Sequence, residues 1–138
     1  MVGRILGIDY GERRLGFAIS DLLGITAQGL KTVKINSIKE ILSTINEIVK
    51  EYNPEKILLG YPLNMNGTKS DKTIDVEKLA EKLKLEYKIE IILWDERWTT
   101  KAALRTMKDI GKKIKGNKGE IDRIAVTILL QSYLDTIK

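Results

Sequence analysis

The stretch Arg4-Ile5-Leu6-Gly7-Ile8-Asp9-Tyr10-Gly11-Glu12-Arg13-Arg14-Leu15-Gly16-Phe17-Ala18-Ile19-Ser20 sets two apolar runs, 4–8 and 15–20, on either side of a short polar turn. A third run follows at 30–35. Runs of this length rich in branched and aromatic side chains read as strands. The gaps between them are too short for crossover helices, so the three form an antiparallel meander. An acidic side chain, Asp9, stands where the first strand gives way to Tyr10-Gly11.

Downstream, the pattern changes period. Ser37 and Glu40 make a capping-box signature, and Ile38, Ile41, Leu42, Ile45, Ile48, Val49 and Tyr52 recur at helical spacing until Asn53-Pro54. Residues 56–60 read as a buried strand. Val76, Leu79, Ala80 and Leu83 mark a second helix, and 89–94 a fifth strand. A further helix is expected from Thr99-Thr100, and a last one with Ile121, Ile124, Ala125, Ile128, Tyr133 and Ile137 on its apolar face. The order is βββαβαβα with one additional short helix. It describes an α/β fold with a five-stranded mixed sheet, a meander followed by βαβα, covered by helices. The 138 residues fit one domain, 1–138, long enough to bury a sizeable core.

Absences narrow the chemistry. The chain has no histidine and no cysteine. Histidine- or cysteine-based nucleophilic systems are therefore excluded, as are imidazole or thiolate zinc sites and disulfides. Asp9, the pair Asp95-Glu96 and Asp122 are three separated carboxylate positions, and hard oxygen ligands of this kind suit Mg²⁺ or Mn²⁺. Each has a plain structural reading: a turn, a strand end leading into a cap, and a first helical turn favoured by the helix dipole. If the strand runs through Asp95 and Glu96, their side chains point to opposite faces, and only one can join Asp9. No apolar run approaches membrane-span length and no signal-peptide pattern opens the chain, so a cytoplasmic protein is expected.

The net charge is +5, and its surplus is local: residues 101–118 carry seven bases against the single acid Asp109. Clustering of this kind is the footprint expected of a nucleic-acid binder. Residues 111–119, with three glycines in nine, read as a pliant basic loop.

Four motifs, in order, resemble those of the YqgF family, also called RuvX, of the RNase H-like nucleases. Gly7-Ile8-Asp9-Tyr10-Gly11 with Arg14, Gly16 and Ser20-Asp21 resembles the opening motif, and Gly60-Tyr61-Pro62-Leu63-Asn64-Met65-Asn66-Gly67 the central loop. Asp95-Glu96-Arg97-Trp98-Thr99-Thr100 resembles the third motif. Ile121-Asp122-Arg123-Ile124-Ala125 with Leu130-Gln131-Ser132-Tyr133-Leu134-Asp135 resembles the last. Trp98 departs from the aliphatic residue usual there. The resemblance implies a metal-dependent nuclease processing the 5′ end of pre-16S ribosomal RNA, with Asp9, Asp95 or Glu96, and Asp122 holding Mg²⁺ or Mn²⁺. Arg14, Asn64, Arg97, Lys112, Lys113, Lys115 and Lys118 are candidate nucleic-acid contacts, and Trp98 a candidate for stacking on bases. RNA is the expected partner and a monomer the expected form. A Holliday junction resolvase and a catalytically silent binding module are the alternatives.

Overall fold

A computed structural model describes residues 3–11, 13–99, 105–106, 109, 112–113 and 118–137. The first three strands are β1 (Ile5–Tyr10), β2 (Arg14–Ser20) and β3 (Ala27–Lys34). Then come α1 (Ile38–Tyr52), β4 (Lys56–Tyr61), α2 (Asp71–Glu86), β5 (Glu90–Asp95), a 3₁₀ turn (Glu96–Trp98) and a final helix, α3 (Lys118–Thr136). The sheet runs β3-β2-β1-β4-β5. Its first three strands are antiparallel neighbours, while β4 and β5 pair parallel to β1 and to each other. This is the mixed five-stranded sheet expected from the alternation of short turns and helical crossovers. No helix among the described residues is long and apolar enough to cross a membrane.

Strand alternation sorts side chains between two cores. On one face Leu6, Ile8, Leu15, Phe17, Ile19, Ile57 and Leu59 pack against Ile41, Ile45 and Ile48 of α1 and Val76, Leu79 and Leu83 of α2. On the other, Ile5, Ala18, Leu58 and Trp94 meet Val126, Leu129, Leu130, Tyr133 and Leu134 of α3. Local caps fix the helices. The Ser37 side chain accepts from the Glu40 N–H, and Asn53 closes α1 in the left-handed region (φ 49°) just before Pro54. Ser70 and Thr73 form a reciprocal capping box on α2.

Three elements depart from the sequence reading. Strand β1 continues through Asp9 and Tyr10, so Asp9 is a strand residue with a fixed facing. β3 begins at Ala27, three residues early, because its start is held by polar bonds that hydropathy does not report. Asp21 accepts from the Ile25 and Thr26 N–H groups, and Gln131 of α3 accepts from Ala27 N–H (2.9 Å) while donating to Ile25 O (2.9 Å). Finally, α3 buries Val126, Leu129, Leu130 and Leu134 with Tyr133, whereas Ile121, Ile124, Ala125 and Ile128 are half-buried and Ile137 is exposed. The helix has two apolar faces, and the sheet receives the one that fits against its small residues: Gly7 lies under Leu130, and Gly16 under Val126. The helix expected from Thr99-Thr100 falls largely outside the described residues; Thr99 itself closes the 3₁₀ turn.

Candidate active site

Parity along β1 places Asp9 with Ile5 and Gly7 on the α3 face. Register does the rest. Asp9 is paired with Gly16 across β2, and the parallel pairing of Ile8 with Leu59 brings Gly60 alongside it. A Cβ on Gly60 would stand 2.8 Å from Asp9 Oδ1 and 2.8 Å from Glu96 Oε1. The two carboxylates thus lie over bare backbone, and only glycine leaves them room.

Asp95 and Glu96 separate as strand parity demands. Asp95, the last residue of β5, shares the face of Leu93 and is 4% exposed. Its carboxylate accepts from Arg97 three ways: backbone N–H (2.9 Å), Nε (3.0 Å to Oδ2) and Nη2 (2.7 Å). These bonds outweigh burial and hold the Asp95 carboxyl below its ordinary value. Arg97 also donates from Nη1 to Met65 O (3.3 Å), tying the β4–α2 loop to the end of β5.

Glu96 turns to the other face and meets Asp9. Burial first, then the hydrogen bond with Asp9 and its charge, push the Glu96 carboxyl up to about 9, with Lys72 opposing. Glu96 therefore keeps its proton at neutral pH. Lys72, in the first turn of α2, is the cation whose charge opposes the rise at Glu96.

Asp122 enters from the first helical turns of α3, where close approach to the sheet fixes its place. Its carbonyl oxygen is 2.9 Å from where a Gly16 Cβ would be, and its Oδ1 is 3.4 Å from the corresponding point on Gly11. Asp122 therefore stands beside the turn that follows Asp9. Among the described residues, no three carboxylates close into a ready-made metal cage. The Asp9–Glu96 pair nonetheless fits a hard divalent cation. It offers oxygen donors only, the recess is floored by glycine, and a cation would displace the proton held on Glu96.

The remaining sequence candidates are distributed unevenly. Arg14 begins β2, half-buried at the same end of the sheet. Asn64 is exposed and its amide is spent on Thr68 Oγ1 (2.9 Å), within a loop whose Gly67 takes φ +85°. Lys112 and Lys113 are helical and exposed; Lys115 lies outside the described residues, and Lys118 begins α3. Trp98 is 58% exposed and rests edge-on against the buried Trp94 (4.9 Å, 80°). Sequence reasoning missed Gly60 and Lys72. The signal for Gly60 was available, since it ends an apolar strand at the position level with Asp9; Lys72 carried none, being one lysine among many on an amphipathic helix.

The fold has known counterparts. RuvC of T. thermophilus in complex with a Holliday junction substrate aligns over 99% of this chain and 97% of its own, with a TM-score of 0.64 at 14% identity. The fowlpox virus resolvase in complex with Holliday junction DNA aligns over 97% and 98%, with a TM-score of 0.58 at 15% identity. The chain thus shares the RNase H-like fold of these proteins, with Asp9 in its first strand and Asp122 in its last helix. Within that class the chain belongs to the RuvX family, described as Holliday junction resolvase, whose model matches residues 3–136. A protein of Ruminiclostridium cellulolyticum named "Putative pre-16S rRNA nuclease" is 47% identical over 135 residues, covering 97% of this chain and 95% of its own length. A Bacillus subtilis protein of the same name is 41% identical over 136 residues, covering 97% and 99%.

Proposed function

We propose that this protein is a divalent-metal-dependent nuclease that hydrolyses phosphodiester bonds in the precursor of 16S ribosomal RNA, acting at the 5′ end, in the cytoplasm and as a monomer. The observation that carries the reading is the Asp9–Glu96 carboxyl pair crowded over Gly60 at the end of the sheet. Relatives of near-equal length named for pre-16S rRNA support RNA as the substrate.

Asp9 and Glu96 would hold Mg²⁺ or Mn²⁺, with Asp122 completing the set from α3. An ion held there would supply charge neutralisation for the phosphoryl oxygens and a lowered pKa for an attacking water, so no histidine base would be required. Asp95 acts one step away, by fixing Arg97 and with it the turn that presents Glu96 to Asp9. Lys72 supplies a positive charge next to Glu96 where a substrate phosphate would arrive. Arg14 and Arg97 offer phosphate contacts beside the recess, and the basic residues Lys112, Lys113, Lys115 and Lys118 would add charge for the nucleic-acid backbone.

The family description favours a second substrate, branched DNA. Symmetric cleavage of a junction calls for two active sites related by a two-fold. Matched RNA-leader and four-way-junction substrates, incubated with Mg²⁺ or Mn²⁺, decide between them. The expected result is cleavage of the RNA by the parent and none by Asp9→Asn, which retains nucleic-acid binding. Paired nicks in the junction by a stable dimer that ignores the RNA would reverse the choice. Equal cleavage by Asp9→Asn and parent at matched purity would remove the site altogether.

A further inference from the structure

Beside the carboxylates, at the same end of the sheet, lies a hollow of about 390 Å³ lined by Arg13, Arg14, Lys34, Ile35 and Asn36. Its cations are placed by the β2–β3 ladder. Arg14 and Lys34 are direct cross-strand partners, and the ladder runs one step further, Ile35 N–H donating to Arg13 O (2.9 Å). Like charges directly opposite one another in an antiparallel pair are destabilising. Among the described residues none of the three cations makes an ion pair. The nearest acid on α1, Glu40, is engaged by the Asn36 amide (3.2 Å). Among the described residues no acid offsets this repulsion, and an anion in the hollow would relieve it.

The position is specific. Gly16, the partner of Asp9, is two residues along β2 from Arg14, about 7 Å at the usual strand rise. The hollow therefore flanks the carboxylates on the β3 side, opposite Lys72 and Arg97, which approach from α2 and β5. Two guanidinium groups suit forked contacts to phosphate oxygens, and the lysine adds a point charge.

We propose that Arg13, Arg14 and Lys34 form a phosphate subsite that holds the substrate backbone on one side of the scissile bond, leading the strand from Asp9 over the start of β2 toward β3. This rests on the nuclease reading above and specifies the path its substrate takes. The subsite contributes affinity and register, so its loss raises KM and leaves kcat at saturating substrate close to the parental value.

The test uses the full chain with Arg13→Gln and Lys34→Gln combined, and a set of RNA oligonucleotides each carrying one uncharged methylphosphonate linkage. Binding is read by anisotropy in chelator and cleavage in Mg²⁺ or Mn²⁺. The double variant should bind more weakly, with a salt dependence flattened by roughly 0.7–0.9 per lost contact. A methylphosphonate on one side of the cut should weaken the parent several-fold more than the variant, which keeps only Arg14 of the three cations. The melting temperature should hold or rise, since a like-charge pair has been removed; a fall would show that the cluster serves folding. Identical salt slopes and identical interference in parent and variant, with RNA still bound, would overturn the subsite while leaving the nuclease reading intact. A parent that binds no RNA would bring down the nuclease reading itself, and the subsite with it. Inorganic phosphate that displaces the oligonucleotide from the parent at equal phosphate concentration would reassign the hollow to free anion and also overturn the proposal.

Discussion

The two faces of the sheet are built on different terms. Toward α1 and α2 the strands present large side chains, Phe17, Leu6, Ile8, Leu15 and Leu59 among them, and the helices stand off at the distance those side chains impose. Toward α3 the corresponding positions include Gly7, Gly16, Ala18 and Gly60, and the helix comes close enough for the Asp122 backbone to reach the sheet. The carboxylates follow the same division. Asp95, on the face of α1 and α2, is consumed by Arg97, while Asp9 and Glu96, on the glycine-bearing face, are pressed against each other. One face supplies stability, and the other gives up apolar volume to bring three acidic residues to one end.

That contrast can be broken most strongly on the stabilising side. Phe17 is fully buried, and Phe17→Ala should cost about 3–5 kcal/mol in denaturant unfolding, as a large core truncation does. Cleavage per folded molecule should hardly change. A matching loss of specific activity would mean that the two faces are not separable in function.

Gly16→Ala probes the opposite face with a single methyl. Its Cβ would meet Asp122 O at 2.9 Å and Val126 Cγ1 at 3.1 Å, so the start of α3 must shift. Overpacking of this kind costs about 1–3 kcal/mol. Activity should fall much further, about a hundred-fold, because Asp122 moves with the helix. Retained activity would show that the position of α3 does not matter to catalysis.

Titration should sharpen the contrast with a smaller effect. Between the ordinary glutamate value of 4.5 and about 9, folded Glu96 keeps a proton that the unfolded chain releases. In chelator, this group's contribution is therefore fully present below 4.5 and is lost as the pH rises through about 9. Asp95 has the opposite sign, its carboxyl being lowered from 3.8, so its contribution is present above that value and lost as the pH falls. Melting temperature against pH in chelator should decline on the alkaline side. A divalent cation should restore it, more so at higher pH, since it needs both carboxylates ionised. A flat alkaline limb with chelator present would contradict the crowded pair.

Most of the fold was legible because its elements obey single-residue rules. β-branched runs gave the five strands, Ser37 and Asn53-Pro54 bounded α1, and short gaps required a meander. What escaped depended on contacts between distant segments. The early start of β3 rests on Gln131, more than a hundred residues away in sequence. The buried face of α3 was chosen by glycines in other strands, and the helix's own periodicity could not decide between two apolar stripes. At the candidate site, Asp9 and Asp122 could be placed at a strand end and a helix start, and the structure brings both to one end of the sheet. Asp95 and Glu96 stayed interchangeable until the end of β5 fixed which one shares a face with Gly60.

On the proposed reading Glu96, paired with Asp9, would hold the metal while Asp95 would only position it. Calorimetric titration of Mn²⁺ into the parent, Glu96→Gln and Asp95→Asn tests this directly, without reference to any substrate. Binding should be lost in Glu96→Gln and largely kept in Asp95→Asn. Undiminished Mn²⁺ affinity in Glu96→Gln, with the loss appearing in Asp95→Asn, would contradict it.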